Sequence, residues 1–200
     1  NVLCREADAG CLAPIMVDTT DAAAIERALT YCQGKSIINS INLEDGEEKF
    51  ERICPIAKAY GAALVVGTID EDPVQAQAFT RERKLAVATR SYDLLTGKYG
   101  IPPENIVFDP LVFPCATGDE NYIGGAVETI EALRLIKEAL PHVKTVLGVS
   151  NISFGLPPAA REVVNSVFRA AHSIKGGAAT FGFSRITTTA HTAETLLDQL

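Results

Sequence analysis

The 200-residue sequence predicts an α/β fold, a partial TIM-type (βα) barrel of about five parallel strands followed by a C-terminal helix-turn-helix tail. Three observations predict it. Short apolar runs end repeatedly on an Asp or Asn: APIMVDTT on Asp18, KSIINSIN on Asn39, ALVVGTID on Asp70, NIVFDPLVF on Asp109 and TVLGVSN on Asn151. Continuous apolar runs mark parallel strands buried on both faces. Each run is followed by a stretch with helical periodicity, the pattern of right-handed βα crossovers. After the fifth run the rhythm stops, and the chain passes through a Gly-Gly turn into a second helical pattern ending LLDQL.

Taken in order, strands are expected near 13–18, 36–41, 62–69, 105–112 and 144–150. Helices are expected near 21–32, 46–59, 74–99, 124–139 and 159–175. In the second helix Phe50, Ile53 and Ile56 fall on one face, Gly61 is the stop signal, and Pro55 is a point of kinking. Gly97, Gly100, Pro102 and Pro103 mark the turn before the fourth strand, and Pro157 and Pro158 start the last barrel helix.

The composition, 47% hydrophobic and 22% charged, is that of a globular domain, and the net charge of −7 argues against nucleic acid or an anionic membrane as partner. No apolar run reaches the roughly 20 residues of a membrane helix, and the N-terminus is not a secretory signal. The absence of a starting Met predicts a fragment or processed chain. The five cysteines form no CxxC pair, which predicts free thiols and a cytoplasmic location. Cys32 and Cys54 read as buried thiols, whereas Cys115 falls close enough to the fourth strand to reach the rim.

In a βα barrel the reacting groups gather where the strands end. Asp18, Asn39, Asp109 and Asn151 are therefore the candidate site residues, with Asp70 in a supporting place. A carboxylate accepts two parallel hydrogen bonds from an amino-pyrimidine edge, and an Asn amide reads a ring nitrogen beside a carbonyl. Such a floor suits a flat, nitrogen-rich heterocycle. The alternative for each residue is a helix cap, most plainly for Asp18 ahead of Thr19, Thr20 and Asp21.

The segments GKSIINSINLEDGEE, NIVFDPLVFPCATGDENY and TVLGVSNISFGLPPAAREVVNSVF resemble the pterin-binding (methyltetrahydrofolate) domain of cobalamin-dependent methionine synthases, and APIMVDTT, GAALVVGTIDED and TRERKLAVA are similar to it. The resemblance covers about residues 10–168. It implies a barrel that holds methyltetrahydrofolate as substrate at its rim, with Asp18, Asn39 and Asp109 as pterin-binding residues and Asp70 supporting the ring indirectly. Asn151 would hydrogen-bond near the methyl-bearing ring nitrogen and help its protonation, and cob(I)alamin, supplied by a separate domain, would accept the methyl group. The family barrel has two further βα units before residue 10 and one more at its end, so an incomplete pterin-binding domain is expected over 1–168. Open sheet edges then favour association of copies.

The tail FRAAHSIKGGAATFGF resembles the phosphoacceptor helix of the histidine-phosphotransfer (HPt) domain of chemotaxis-type histidine kinases, over about 166–200. The resemblance implies a partial HPt-like segment over 169–200 with His172 as phosphoacceptor and Lys175 near the phosphate. Three functions follow: a methyltransferase fragment that binds methyltetrahydrofolate, a phosphotransfer module acting through His172, or an inactive chimera of the two folds.

Overall fold

The computed structural model describes residues 14–114 and 122–153. The chain forms two compact units, residues 1–111 with 127–147 and residues 112–126 with 148–200. The expected helix at 159–175, the helical tail, His172 and Cys115 lie outside the described residues.

The first unit is built on five parallel strands: β1 (Met16–Asp18), β2 (Ile37–Ile41), β3 (Ala63–Gly67), β4 (Ile106–Asp109) and β5 (Lys144–Thr145). Each pairs with the next in sequence order, and helices α1 (Ala22–Leu29), α2 (Glu48–Tyr60), α3 (Arg81–Asp93) and α4 (Gly125–Ala139) fill four of the connections. This is the arrangement of a partial TIM-type barrel, in which every strand points its carboxyl end to one rim. The register sets Asp18 beside Asn39 and Gly67 beside Asp109. Among the described residues β1 and β5 are the edges of the sheet.

The central strand ALVVG is buried throughout. Ile38, Ile41, Leu64, Val66, Ile106 and Phe108 form the sheet side of the core, and Ile25, Leu29, Phe50, Ile53 and Ile136 cover it from the helices. Local signals place the helix ends. Asp21 caps α1 by accepting from the N–H groups of Ala23 and Ala24 at 2.9 and 3.2 Å. Gly61, at φ +64°, ends α2 in the left-handed conformation that a side chain would disfavour. Cys54 is buried on α2, and burial pushes its thiol up to about 12, so it stays protonated and unreactive in the folded chain.

Three expected elements are shorter than the sequence suggests. Residues 74–80 do not belong to α3. Asp72 accepts from the N–H groups of Val74 and Gln75 at 2.8 and 2.9 Å, Gln77 bridges back to Ile69, and Thr80 caps a helix that begins at Arg81. The Asx turn at Asp72 captures the backbone before a helix can nucleate. Strand β4 stops at Asp109 because Pro110 has no N–H to donate and Leu111 turns to φ +60°. Strand β5 is two residues long, and Val149–Ser153 is a 3-10 turn.

In the second unit, Phe113 stacks on Tyr122 with ring centroids 5.1 Å apart, and the Asn151 N–H donates to Gly148 O at 3.1 Å. No helix among the described residues is long and apolar enough to cross a membrane.

Candidate functional site

The rim begins with a pair. Asp18, the last residue of β1, is the register partner of Asn39, and the two are tied by the Thr19 N–H donating to Asn39 O at 3.1 Å. Asn39 is the middle residue of β2, not its end as the sequence suggests, because pairing with β3 resumes at Ile41. Asp18 is exposed, and among the described residues its carboxylate takes no hydrogen bond. The capping role that its neighbourhood permits belongs to Asp21 instead, which leaves Asp18 available at the rim. Asn39 is half-buried in an irregular stretch of β2, where the pairing with β3 shifts between Ile38 and Ile41 and the Asn39–Ser40 peptide bond is cis. A bulge of this kind re-aims a side chain within the strand.

Asp70 has a different place. Its Oδ1 accepts from Arg83 Nη2 at 2.6 Å and from the Asp72 N–H at 3.2 Å, while its own N–H donates to Ala76 O at 2.9 Å. The carboxylate holds the β3–α3 loop to the first turn of α3. Its Oδ1 is thus engaged within the loop.

Asp109 closes β4 beside Gly67, which presents no side chain at that level. The Leu111 N–H donates to its Oδ1 at 2.9 Å, and the Thr68 N–H donates to its backbone O at 3.0 Å. Burial pushes the Asp109 carboxyl above the ordinary carboxylate range, opposed by the Leu111 N–H and by the positive charge of Lys84. Leu111 sits in the left-handed region, which costs a non-glycine residue roughly 1–3 kcal/mol and persists only where the surroundings hold it. Two donors do so: Thr129 Oγ1 on α4 reaches Leu111 O at 2.8 Å, and Lys84 Nζ on α3 reaches it at 3.1 Å. Lys84 also donates to Pro110 O.

Sequence reasoning did not select Lys84, Leu111 or Thr129. The available signal was the lysine's place on the apolar stripe of α3, in step with the buried Val87, Ala88 and Ser91.

Beside this turn, Glu128 of α4 caps α3. Its Oε2 accepts from the Arg81 N–H at 2.7 Å, and the Arg81 guanidinium grips both oxygens. These bonds, the side-chain ones first, hold the Glu128 carboxyl down at about 2. A depressed carboxyl contributes stability that is present above its ordinary value of 4.5 and is lost as pH falls toward 2. Urea unfolding of Glu128→Gln is therefore expected to show a lower midpoint than the parent at about pH 6 and convergence with it near pH 2. Parallel pH profiles for the two chains would refute this role.

Asn151 is exposed on the 3-10 turn of the second unit, and His172 lies outside the described residues. The first unit thus places Asp18 and Asp109 at the carboxyl ends of β1 and β4, with Asn39 beside Asp18 within β2. Among the described residues no cluster of His, Cys, Asp and Glu is arranged to hold a metal ion.

Comparison with known proteins gives this rim a context. The family model described as pterin binding enzyme matches residues 1–182. The methionine synthase of Mycobacterium tuberculosis (strain ATCC 25618 / H37Rv) is 44% identical over 158 residues, which is 78% of this chain and 13% of that protein. The methionine synthase of Mycobacterium leprae (strain TN) is likewise 44% identical over 158 residues, with the same coverage of both chains. The chain therefore spans about an eighth of the length of these relatives. Because the family match takes in all five strands and the loops that follow them, the chain belongs to the pterin-binding enzymes.

Proposed function

We propose that this chain binds methyltetrahydrofolate at the rim formed by Asp18, Asn39 and Asp109 and serves the transfer of its methyl group to cob(I)alamin. The observation that carries the reading is the placement of Asp18 and Asp109 at the carboxyl ends of parallel strands, with Asn39 in register beside Asp18, in a pterin-binding family member. Asp18 and Asp109 accept from the amino-pyrimidine edge, and the Asn39 amide reads an adjacent donor–acceptor pair. Asp70 supports the ring indirectly, through the loop it fastens to Arg83.

The bond from the ring nitrogen to the methyl carbon breaks in this reaction, and its electron pair stays on nitrogen. A proton delivered there makes nitrogen the better leaving group, so the site gains most by strengthening that interaction in the transition state. Asn151 is the residue proposed to hydrogen-bond there. The methyl acceptor comes on a separate domain and supplies the nucleophile.

The domain reading proposed is an incomplete pterin-binding barrel over 1–168 and an HPt-like segment over 169–200. Free thiols at Cys32 and Cys54 suit a reducing cytoplasm. Association of copies through the edge strands β1 and β5 is part of the same proposal.

Isothermal titration of the chain with methyltetrahydrofolate tests the main reading. Saturable binding at one site, weakened in Asn151→Ala, is the expected result. A chain that is folded by circular dichroism and gives no heat would overturn it and favour the inactive chimera. The second reading, phosphotransfer through His172, rests on the HSIKGG motif, and an acid-labile phosphate lost in His172→Gln distinguishes it. The family match running past His172 to residue 182 supports the first reading over the second.

A further inference from the structure

Lys84 is fully buried on α3, and an ammonium is held away from water only where acceptors and opposite charge compensate it. Here the acceptors are the carbonyls of the two residues that follow Asp109. Nζ donates to Pro110 O and, at 3.1 Å, to Leu111 O. Leu111 in turn donates its N–H to the Asp109 carboxylate at 2.9 Å, and its carbonyl takes a second donor, Thr129 Oγ1, at 2.8 Å. The left-handed turn is thus gripped from α3 and α4 and is joined directly to the carboxylate at the end of β4.

We propose that Lys84 is a positioning residue for Asp109: by clamping the two carbonyls after it and placing a buried cation beneath the turn, it keeps the carboxylate aimed at the rim and charged. The identity of the ligand rests on the pterin reading; the effect on Asp109 does not. The charged groups that meet here are Asp109 from β4, Glu128 from α4 and Lys84 itself from α3, with Arg81 of α3 pairing Glu128. Burial draws Lys84 down to about 8 against the attraction of Asp109 and Glu128, so the cation predominates at neutral pH. Its charge opposes the burial that pushes Asp109 up.

Carboxyl-carbon NMR titration of the unliganded chain, comparing the parent with Lys84→Met and Lys84→Arg, tests this. The Asp109 signal is expected to titrate at higher pH in Lys84→Met and to stay near the parent value in Lys84→Arg. In parallel, titration with methyltetrahydrofolate at pH 7 is expected to show about tenfold weaker binding in Lys84→Met, the size of one weakened charge-assisted hydrogen bond. The acid-side loss of affinity should begin at higher pH in that variant, with Lys84→Arg restoring the parent profile. An unmoved Asp109 titration in a natively folded Lys84→Met chain would overturn the proposal, as would an affinity loss that is equal at every pH. Should Lys84→Met fail to fold, Lys84→Gln carries the same comparison. If the parent itself binds no pterin, the pterin reading falls alone and the NMR comparison still decides the role of Lys84.

Discussion

Asp109→Ala is expected to weaken methyltetrahydrofolate binding by at least about 100-fold while leaving the chain folded. Each charge-assisted hydrogen bond contributes about 1.5–3 kcal/mol, so losing the two that a carboxylate accepts from an amino-pyrimidine edge removes most of a micromolar affinity. The effect on folding should be small because the changes oppose one another. The Leu111 N–H loses its acceptor and Lys84 loses one opposite charge while keeping its two carbonyl acceptors and Glu128, but a carboxylate whose ionisation is opposed by burial is also removed. Asp109→Asn refines the test, since it keeps an acceptor for Leu111 and turns the other oxygen into a donor facing donors. Isothermal titration and thermal unfolding of the same preparations check both statements. Retained affinity in a folded Asp109→Ala chain would remove this residue from the site.

The pH dependence at Asp109 has a sign of its own. A carboxyl raised in the folded state contributes stability present below its unfolded value and lost as pH rises through its folded one. Acidification therefore strengthens the fold at Asp109 while it removes the charge that would hold the ligand. Glu128 works in the opposite direction, since Arg81 holds its carboxyl down and its stabilisation disappears toward acid. Affinity and stability should thus respond to acid through different residues.

The largest effect on stability is expected from Phe50→Ala. Phe50 is fully buried on α2, and its ring meets Tyr99 edge-on with centroids 6.0 Å apart. Truncating a buried Phe costs about 3–5 kcal/mol through lost transfer energy and the cavity left behind. A domain of this size holds about 5–15 kcal/mol in total, so much of the margin goes. Urea unfolding should show a lower midpoint with an unchanged slope. Phe50 belongs to the hydrophobic core and is not one of the proposed ligand-binding residues, so ligand affinity measured where both chains are folded should be unaffected. A loss below about 1 kcal/mol would mean that the helix collapses onto the vacancy.

Much of the architecture was legible in the chain because buried parallel strands leave a simple trace. IINSI, ALVVG and IVFD read as apolar runs, and the same runs carry Asn39 in mid-strand and Asp109 at the end. Gly61 stopped its helix as expected. The overlong helix at 74–99 failed for a local reason: VQAQAF has helical spacing, but the Asp72 side chain satisfies the backbone groups first. The fifth strand is present but shorter than expected for a tertiary reason, because β4 ends at Asp109 and offers TVLGV little ladder to extend along.

The division is clearest among the acidic residues. Asp18, Asp21, Asp70 and Asp109 are one residue type in similar surroundings along the chain, and hydropathy and spacing place three of them at strand ends without telling their roles apart. Packing tells them apart. Asp21 closes α1, Asp70 is bound to Arg83, Asp18 stands exposed beside Asn39, and Asp109 is tied into a turn held by Lys84 and Thr129. Strand position follows from local hydrophobic pattern, which a single chain displays in order. The state of a carboxylate follows from which donors and charges distant segments bring within a few ångströms of it, and that is decided only when α3, α4 and the β4 turn close on one another.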